Sequence, residues 1–209
     1  MSGQGTMRII SGRWRSRRIL CPNGTQTRPM PDRVKEAVFD LLGSRYATPG
    51  GLPPLTVVDL FSGSGTMGLE ALSRGAAACY FFEKHPLALK ALRTNLHALG
   101  VGPYGRIMPV DAWKDPWSRL NDADSVDLLL LDPPYRDSHD ASPRGKVARL
   151  LTAAAASGRM HARALVLLHH EAGVEYAPDA ARGWEPVDRR AYGRNRVVLF
   201  RRLETNPTG

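Results

Sequence analysis

Apolar residues come in two rhythms along this 209-residue chain: short unbroken runs, and stretches in which they recur every three or four positions. The runs mark strands buried on both faces, and the wider spacing marks one-sided helices. After residue 54 the two alternate. Strands are expected at residues 55–60, 79–82, 106–110, 126–131 and 164–168, with helices at 67–74, 86–99 and 143–156 between them, Gly75 and Gly100 standing at two of the helix ends. Residues 184–192 and 196–202 flank Gly193-Arg194-Asn195 and read as a terminal antiparallel hairpin. This alternation specifies an α/β fold, a mostly parallel sheet with helices on both faces.

The first 54 residues follow another pattern. Two short strands, at 7–12 and 17–20, surround a glycine-containing turn. A helix opens near Asp32 after Pro31 and runs to Leu42, with Val34, Ala37, Val38, Leu41 and Leu42 on one face and Gly43 as its stop. Residues 44–54 hold two glycines and three prolines and read as a linker. The expected division is a small amino-terminal extension, 1–54, ahead of a main domain, 55–209.

Charge changes the picture of that extension. The net charge is +9, and residues 1–31 carry six arginines with no Asp or Glu. Ile9, Ile10, Trp14, Ile19 and Leu20 are interleaved with the arginines, as in a β-ribbon that offers cations and a ring to a polyanion, of which nucleic acid is the usual case. Arg8, Arg13, Trp14, Arg15, Arg17, Arg18, Arg28 and Arg33 are the candidate contacts. The start of the chain has no signal-like apolar core and no run approaches the ~20 apolar residues that span a bilayer, so a cytoplasmic protein is expected. Cys21 and Cys79 lack disulfide or zinc spacing, and no metal site is expected.

The candidate chemistry lies at the strand ends. Leu128-Leu129-Leu130-Leu131 runs into Asp132-Pro133-Pro134-Tyr135, so a carboxylate, a stiff backbone and an aromatic ring reach the carboxyl edge of the sheet together. Alone, this could be a strand stopped by a proline turn. Gly63-Ser64-Gly65-Thr66-Met67-Gly68 fits a glycine-rich cofactor loop, with Glu83 twenty residues beyond Gly63. Asp59 just before the loop would repel a pyrophosphate but could hold a cationic amino-acid moiety. Asp111 ends the next strand.

Asp59-Leu60-Phe61-Ser62-Gly63-Ser64-Gly65 resembles the first motif of class I S-adenosylmethionine-dependent methyltransferases. The resemblance implies a Rossmann-like sheet of seven strands and S-adenosyl-L-methionine as cofactor. Gly63 and Gly65 would let the backbone approach it, Glu83 would bind ribose hydroxyls and Asp111 the adenine amino group. Phe61 and Ser64 in the loop, and Lys84 and Ala112 beside the acids, join this set. Asp132-Pro133-Pro134-Tyr135 resembles the motif of methyltransferases that act on exocyclic amino groups: Asp132 and the Pro133 carbonyl would accept the target's hydrogen bonds and Tyr135 would stack on the base.

With Arg8-Ile9-Ile10-Ser11-Gly12-Arg13-Trp14-Arg15, Gly68-Leu69-Glu70-Ala71-Leu72-Ser73-Arg74-Gly75-Ala76 and Ala191-Tyr192-Gly193, nearly the whole chain is similar to RsmD-type small-subunit ribosomal RNA guanine-N2 methyltransferases. That implies methylation of a guanine N2 in 16S ribosomal RNA, with ribosomal RNA or the assembling small subunit as partner and a monomeric enzyme. Three alternatives stand beside it. An amino-directed DNA methyltransferase shares both central motifs but needs a larger target-recognition region than this chain offers. A non-catalytic nucleic-acid-binding protein would not need Asp59, Glu83 and Asp132. A dehydrogenase would need a catalytic His, Lys or Tyr-Lys pair, and His169-His170, after the fifth strand of the main sheet, reads as structural.

Overall fold

The computed structural model describes residues 6–22, 30–121, 123–176 and 182–203. A small antiparallel pair opens the chain, β1 (Thr6–Arg8) against β2 (Arg18–Leu20), with Met7 opposite Ile19. Helix α1 (Asp32–Arg45) follows, and then the alternating units: β3 (Thr56–Leu60), α2 (Thr66–Ser73), β4 (Ala78–Phe82), α3 (Pro86–Ala98) and β5 (Gly105–Met108). Next come β6 (Val126–Leu131), the short helix α4 (Tyr135–Ser138), α5 (Lys146–Ala156) and β7 (Met160–Glu171). The terminal hairpin is β8 (Trp184–Tyr192) and β9 (Asn195–Arg202).

The large sheet has seven strands in the order β5-β4-β3-β6-β7-β9-β8. Its first five members in the chain are parallel, while β9 runs antiparallel to both β7 and β8. Chain order turns outward in one direction from β3 and in the other from β6. The crevice of a parallel sheet opens at such a switch point, here between the carboxyl ends of β3 and β6. Leu60 is registered on Leu131, so Phe61 and Asp132 leave the sheet side by side.

Strand β6 shows why the apolar run is needed. Leu128 and Leu130 join the core on one face of the sheet and Leu129 and Leu131 the core on the other, all at most 1% exposed. Each such burial contributes about 2 kcal/mol. Several boundaries differ from the periodicity. Helix α1 continues through Gly43 to Arg45, because the carbonyls of Thr48 and Gly51 pack 2.7 and 2.8 Å from where a Cβ would stand, so the glycine answers a close approach and not a stop. Strand β7 is 12 residues long, since Met160 pairs with Val126 across a register shift, and exposed His161 and Arg163 hide this part from an apolar pattern. Strand β5 ends at Met108, which leaves Asp111 on a loop, and α5 begins at Lys146.

The amino-terminal residues share the first of these cores: Ile9, Ile19, Val34, Val38 and Phe39 pack with Leu69, Leu72, Val57 and Leu128. The attachment is polar as well. Glu70 of α2 is fully buried, and its carboxylate accepts the backbone N–H groups of Ile10 at 2.8 Å and Ser11 at 3.0 Å. Arg74 Nε donates to it at 2.9 Å, and the buried Lys35 Nζ lies 3.5 Å away while donating to the Arg8 carbonyl at 2.7 Å. Burial drives the Lys35 pKa below that of an ordinary lysine, with Glu70 pulling the other way. Gly12, at φ +81°, crosses the end of α2 so closely that a Cβ would sit 1.9 Å from the Ser73 carbonyl oxygen. Two of the stretches picked out in the sequence therefore recognise each other.

Replacing Glu70 with Gln should cost about 3–5 kcal/mol, because it leaves Lys35 as an uncompensated buried charge and Arg74 with Asp40 as its one remaining acid, at 3.1 Å. Urea unfolding followed by tryptophan fluorescence measures it, and a loss below about 1 kcal/mol would mean that this cluster does not anchor the arm.

Candidate active site

The glycine loop between β3 and α2 is held from three directions. From below, Asp59 Oδ2 accepts the Gly68 N–H at 2.8 Å. From the side, Ser62 N–H and hydroxyl reach the Phe82 carbonyl at 3.0 and 3.3 Å. From the neighbouring strand end, Glu83 Oε2 accepts the Gly63 N–H at 2.9 Å, while its Oε1 takes the Lys84 and His85 N–H groups at 2.8 and 2.7 Å. Gly65 caps α2 at φ +89°, and Phe61, without a glycine's freedom, is held at φ +64°. Such a conformation costs on the order of 1–3 kcal/mol and persists only where its surroundings fix it. Here the Phe61 ring rests on Trp113, centroids 4.5 Å apart.

Above the loop lies a cavity of about 590 Å³, lined among others by Phe61, Gly63, Glu83, Lys84, Asp111 and Ala112. Six of the nine expected cofactor residues thus share one space, with Pro134 as a further wall. The other three sit beneath it. Asp59 is 2% exposed and engaged with Gly68; Gly65 is buried under Leu92 and Leu69; the Ser64 hydroxyl is 3.3 Å from Cys21 Sγ. Lys84 Nζ donates to Asp111 Oδ2 at 3.0 Å. Partial burial disfavours the Asp111 carboxylate, but the bonds from Lys84 and from the Trp113 N–H outweigh it and hold its pKa below the usual range. A second cleft of about 840 Å³ adjoins the first and shares Phe61, Lys84, Asp111, Pro134 and Arg136 with it, with Trp113 and Lys146 beyond.

Asp132 and Pro133 stand at the end of β6 outside both linings, and Tyr135 opens α4. The Asp132 carboxylate, 26% exposed, meets His169 Nδ1 at 2.8 Å, and the Tyr135 ring lies edge-on to the same imidazole at 6.2 Å. His169 and its partner Asn195 were not among the residues expected in the site. The signal was there: a polar pair closing the run Leu165-Val166-Leu167-Leu168 at the carboxyl edge. His170 is turned elsewhere, onto the Tyr176 ring, and burial pushes its pKa down to about 4. Among the described residues no group of three or more His, Cys, Asp or Glu could hold a metal ion, and no helix is long and apolar enough to cross a membrane.

The expected nucleic-acid contacts divide. Arg8, Arg13, Arg15, Arg17, Arg18 and Arg33 are exposed, while Arg28 lies outside the described residues. Arg8 is paired with Asp32 at 2.9 Å, Arg17 donates to the Ala98 carbonyl at 3.1 Å, and Arg13 covers the Trp14 ring at 3.8 Å. Arg13 N–H donates to Ser73, at the far end of α2, one helix length from the glycine loop. The arm then climbs to the loop itself: Asn95 of α3 binds both backbone groups of Leu20, at 2.9 and 3.0 Å, and the Ser64 carbonyl at 2.9 Å.

Comparison with known proteins agrees with this geometry. Residues 7–201 match the family described as conserved hypothetical protein 95. YlbH of Bacillus subtilis, provisionally named an rRNA methyltransferase, is 29% identical over 196 residues, which cover 94% of this chain and 99% of that protein. Ribosomal RNA small subunit methyltransferase D of Escherichia coli K12 is 34% identical over 139 residues, 65% of this chain and 63% of the relative, so that match spans just under two thirds of its length. Among solved structures, yhhF of Escherichia coli, provisionally titled a methyltransferase, superposes with a TM-score of 0.72 at 27% identity over 95% of this chain and 98% of that one. The Thermus thermophilus 16S rRNA N2 G1207 methyltransferase RsmC, solved with AdoMet and guanosine, shares the fold at a TM-score of 0.70 and 16% identity, over 96% of this chain and 50% of that one.

Burial raises the Asp59 pKa to about 8, the nearby Asp132 and Glu83 charges adding to it and the Gly68 N–H opposing it. The folded protein then keeps a proton that the unfolded chain gives up near pH 4, so this group's contribution to stability is complete below that pH and is lost as pH rises through about 8. Across that window wild type should lose up to about 1.4 kcal/mol per pH unit relative to Asp59→Asn, which keeps an acceptor for Gly68 and has nothing to ionise. Urea midpoints of the two proteins between pH 5 and 8 test this; parallel curves would show that Asp59 is ionised in the fold.

Proposed function

Because the chain belongs to the family of conserved hypothetical protein 95, the RsmD family, we propose that it methylates the exocyclic N2 of a guanine in small-subunit (16S) ribosomal RNA, with S-adenosyl-L-methionine as donor. One observation carries this reading: the glycine loop and Asp132-Pro133-Pro134-Tyr135 leave the sheet on adjacent strand ends, so a cofactor over the first faces a base held by the second.

The residues fit that cofactor. The cavity is of the size that small-molecule sites have, about 300–1,000 Å³, and Glu83 lines it beside a glycine whose Cβ position is open space. Glu83 is proposed to take the ribose hydroxyls, Asp111 and Ala112 the adenine edge between Phe61 and Lys84, and Gly63 to let the ligand approach the backbone. Gly65, Ser64 and Asp59 support the amino-acid end from beneath the loop. When bound, the sulfonium supplies an already electrophilic methyl group. The chain's own work is alignment: Asp132 and the Pro133 carbonyl accept N–H bonds from the target, Pro134 stiffens the turn, and Tyr135 stacks on the base. Positive charge developing on the nitrogen as it takes up the methyl group would lie next to the Asp132 carboxylate, and the N–H proton given up would pass to water.

The arm is proposed to bind the RNA through Arg8, Arg13, Trp14, Arg15, Arg17, Arg18, Arg28 and Arg33, the backbone tracking from the far end of α2 toward the strand ends. A base must leave its stack to reach Tyr135, which costs a few kcal/mol in a duplex and less in a loop, so a hairpin loop is the favoured target.

Replacing Asp132 with Ala should leave S-adenosylmethionine affinity within about threefold by calorimetry while lowering methyl transfer by at least about 100-fold. Transfer at the wild-type rate would reduce the motif to a proline turn. Mass spectrometry of ribosomal nucleosides from cells with and without the protein identifies the product, and N2-methylguanosine unchanged between them would overturn the guanine assignment. Changing Arg13, Arg15, Arg17 and Arg18 together to Ala should weaken RNA binding and flatten its salt dependence by roughly 0.7 per lost phosphate contact, with cofactor affinity preserved. An equal salt slope in an anisotropy titration would leave the arm as a solvated surface.

A further inference from the structure

His169 lies in β7 with 1% of its side chain exposed, between the acid just past the end of β6 and an amide on β9. Its Nδ1 is 2.8 Å from Asp132 Oδ1 and its Nε2 is 2.9 Å from Asn195 Oδ1. The Asn195 amide has one sensible orientation. Its Nδ2 donates to the Tyr192 carbonyl at 3.1 Å, and turning it round would set two acceptor oxygens against each other. Both ring nitrogens therefore face oxygens. A neutral imidazole, with a single N–H, would leave one nitrogen lone pair pointing at an oxygen lone pair, whereas an imidazolium donates on both sides. The remaining arrangement puts the shared proton on the acid, and a carboxylate is in general a weaker base than an imidazole.

Resting on the reading of Asp132 as the acceptor of the target's N–H, we propose that His169 is a positioning residue held as an imidazolium. Its Nδ1–H fixes Asp132 Oδ1 and keeps that carboxylate ionised, which leaves Oδ2 for the target. Asn195 completes the device by giving the second N–H a partner that carries no charge of its own. A protonated Asp132 could still donate a bond but would no longer stabilise positive charge growing on the nitrogen.

The surroundings agree. Burial works against the charged ring, but Asp132 and Asn195 more than compensate, and the His169 pKa ends above its ordinary value. The ring edge of Tyr135 faces it without charge, and the neighbouring His170, with a pKa near 4, is neutral. Arg196 and Arg189 act on His170, and the buried Asp59 is the other carboxylate near Asp132. The imidazolium is present below the His169 pKa and lost above it, so the rate of methyl transfer should fall on the alkaline side as that proton leaves.

Nitrogen-15 NMR of the wild-type protein without substrate reads the ring directly. At pH 7 both His169 nitrogens should carry protons, and a neutral-ring signal would overturn the proposal. In single-turnover methylation, His169→Gln should lower the rate on the order of 10- to 100-fold, with RNA and cofactor affinities within about twofold and the alkaline limb of the pH profile gone. Asn195→Asp, which keeps the ring and adds a charge, should move that limb to higher pH. A rate loss in His169→Gln with an unaltered pH profile would reduce the residue to packing and overturn the proposal. Wild-type protein that methylates no ribosomal RNA would sink the parent reading instead, while the NMR experiment would still decide the state of the ring.

Discussion

The buried carboxylate of Glu70 is the contact on which the arrangement of this protein depends. It collects two backbone N–H groups from the arm, a guanidinium from the residue that ends its own helix and an ammonium from α1. Each donor alone would be too little for a charge taken wholly out of water, and together they satisfy it. The consequence is geometric. Helix α2 carries the glycine loop at its start and the arm at its end, so one eight-residue helix sets the distance between them. Asn95 repeats the connection from α3, joining Leu20 to Ser64 with a single amide.

The carboxyl edge of the sheet raises the opposite problem, since four acids meet there within a few strands. Each is accommodated differently. Asp59 is buried and favours its protonated form, Glu83 is surrounded by backbone N–H groups, Asp111 is paired with Lys84, and Asp132 faces His169. Divided in this way, the charges do not repel one another out of the fold, and two of the four, Glu83 and Asp111, line the cavity. The strained Phe61 backbone and the ring of Trp113 close the same space with apolar surface, against which the few polar groups act strongly.

The surface charge acts at longer range. Among the described residues, six exposed arginines from Arg8 to Arg33 occupy the arm and the start of α1, beside a ring that is itself covered by one of them. On the proposed reading such a field would raise the local concentration of a polyanion and guide its approach, with the choice of atom to modify left to the strand ends. The arm is anchored in the same core as helix α2, so the arm and the glycine loop sit on one frame.

The sequence by itself determined whatever depends on neighbours along the chain. The leucines of β6, the alternation after Leu55, the glycine loop and the acids closing β4 and β6 were legible because burial on two faces, a tight turn before a helix and a proline stop each leave a mark within a few residues. The extent of β7, the run of α1 through Gly43 and the late start of α5 were not: the first is set by pairing with β6, and the other two by loop carbonyls folded back onto Gly43 and Gly145, contacts that leave no periodic mark. The same holds for the site. Gly63, Glu83 and Asp132 announced themselves by spacing, whereas Trp113, Asn195 and the imidazole of His169 acquired their roles from partners on other elements. Lys35 lies outside the apolar face read for its helix and is wholly buried, and Asp59, expected to hold a cationic amino-acid moiety, is engaged with the Gly68 N–H under the loop. Only tertiary structure decided these, because the energy of a buried charge depends on what surrounds it, and its surroundings come from every part of the chain.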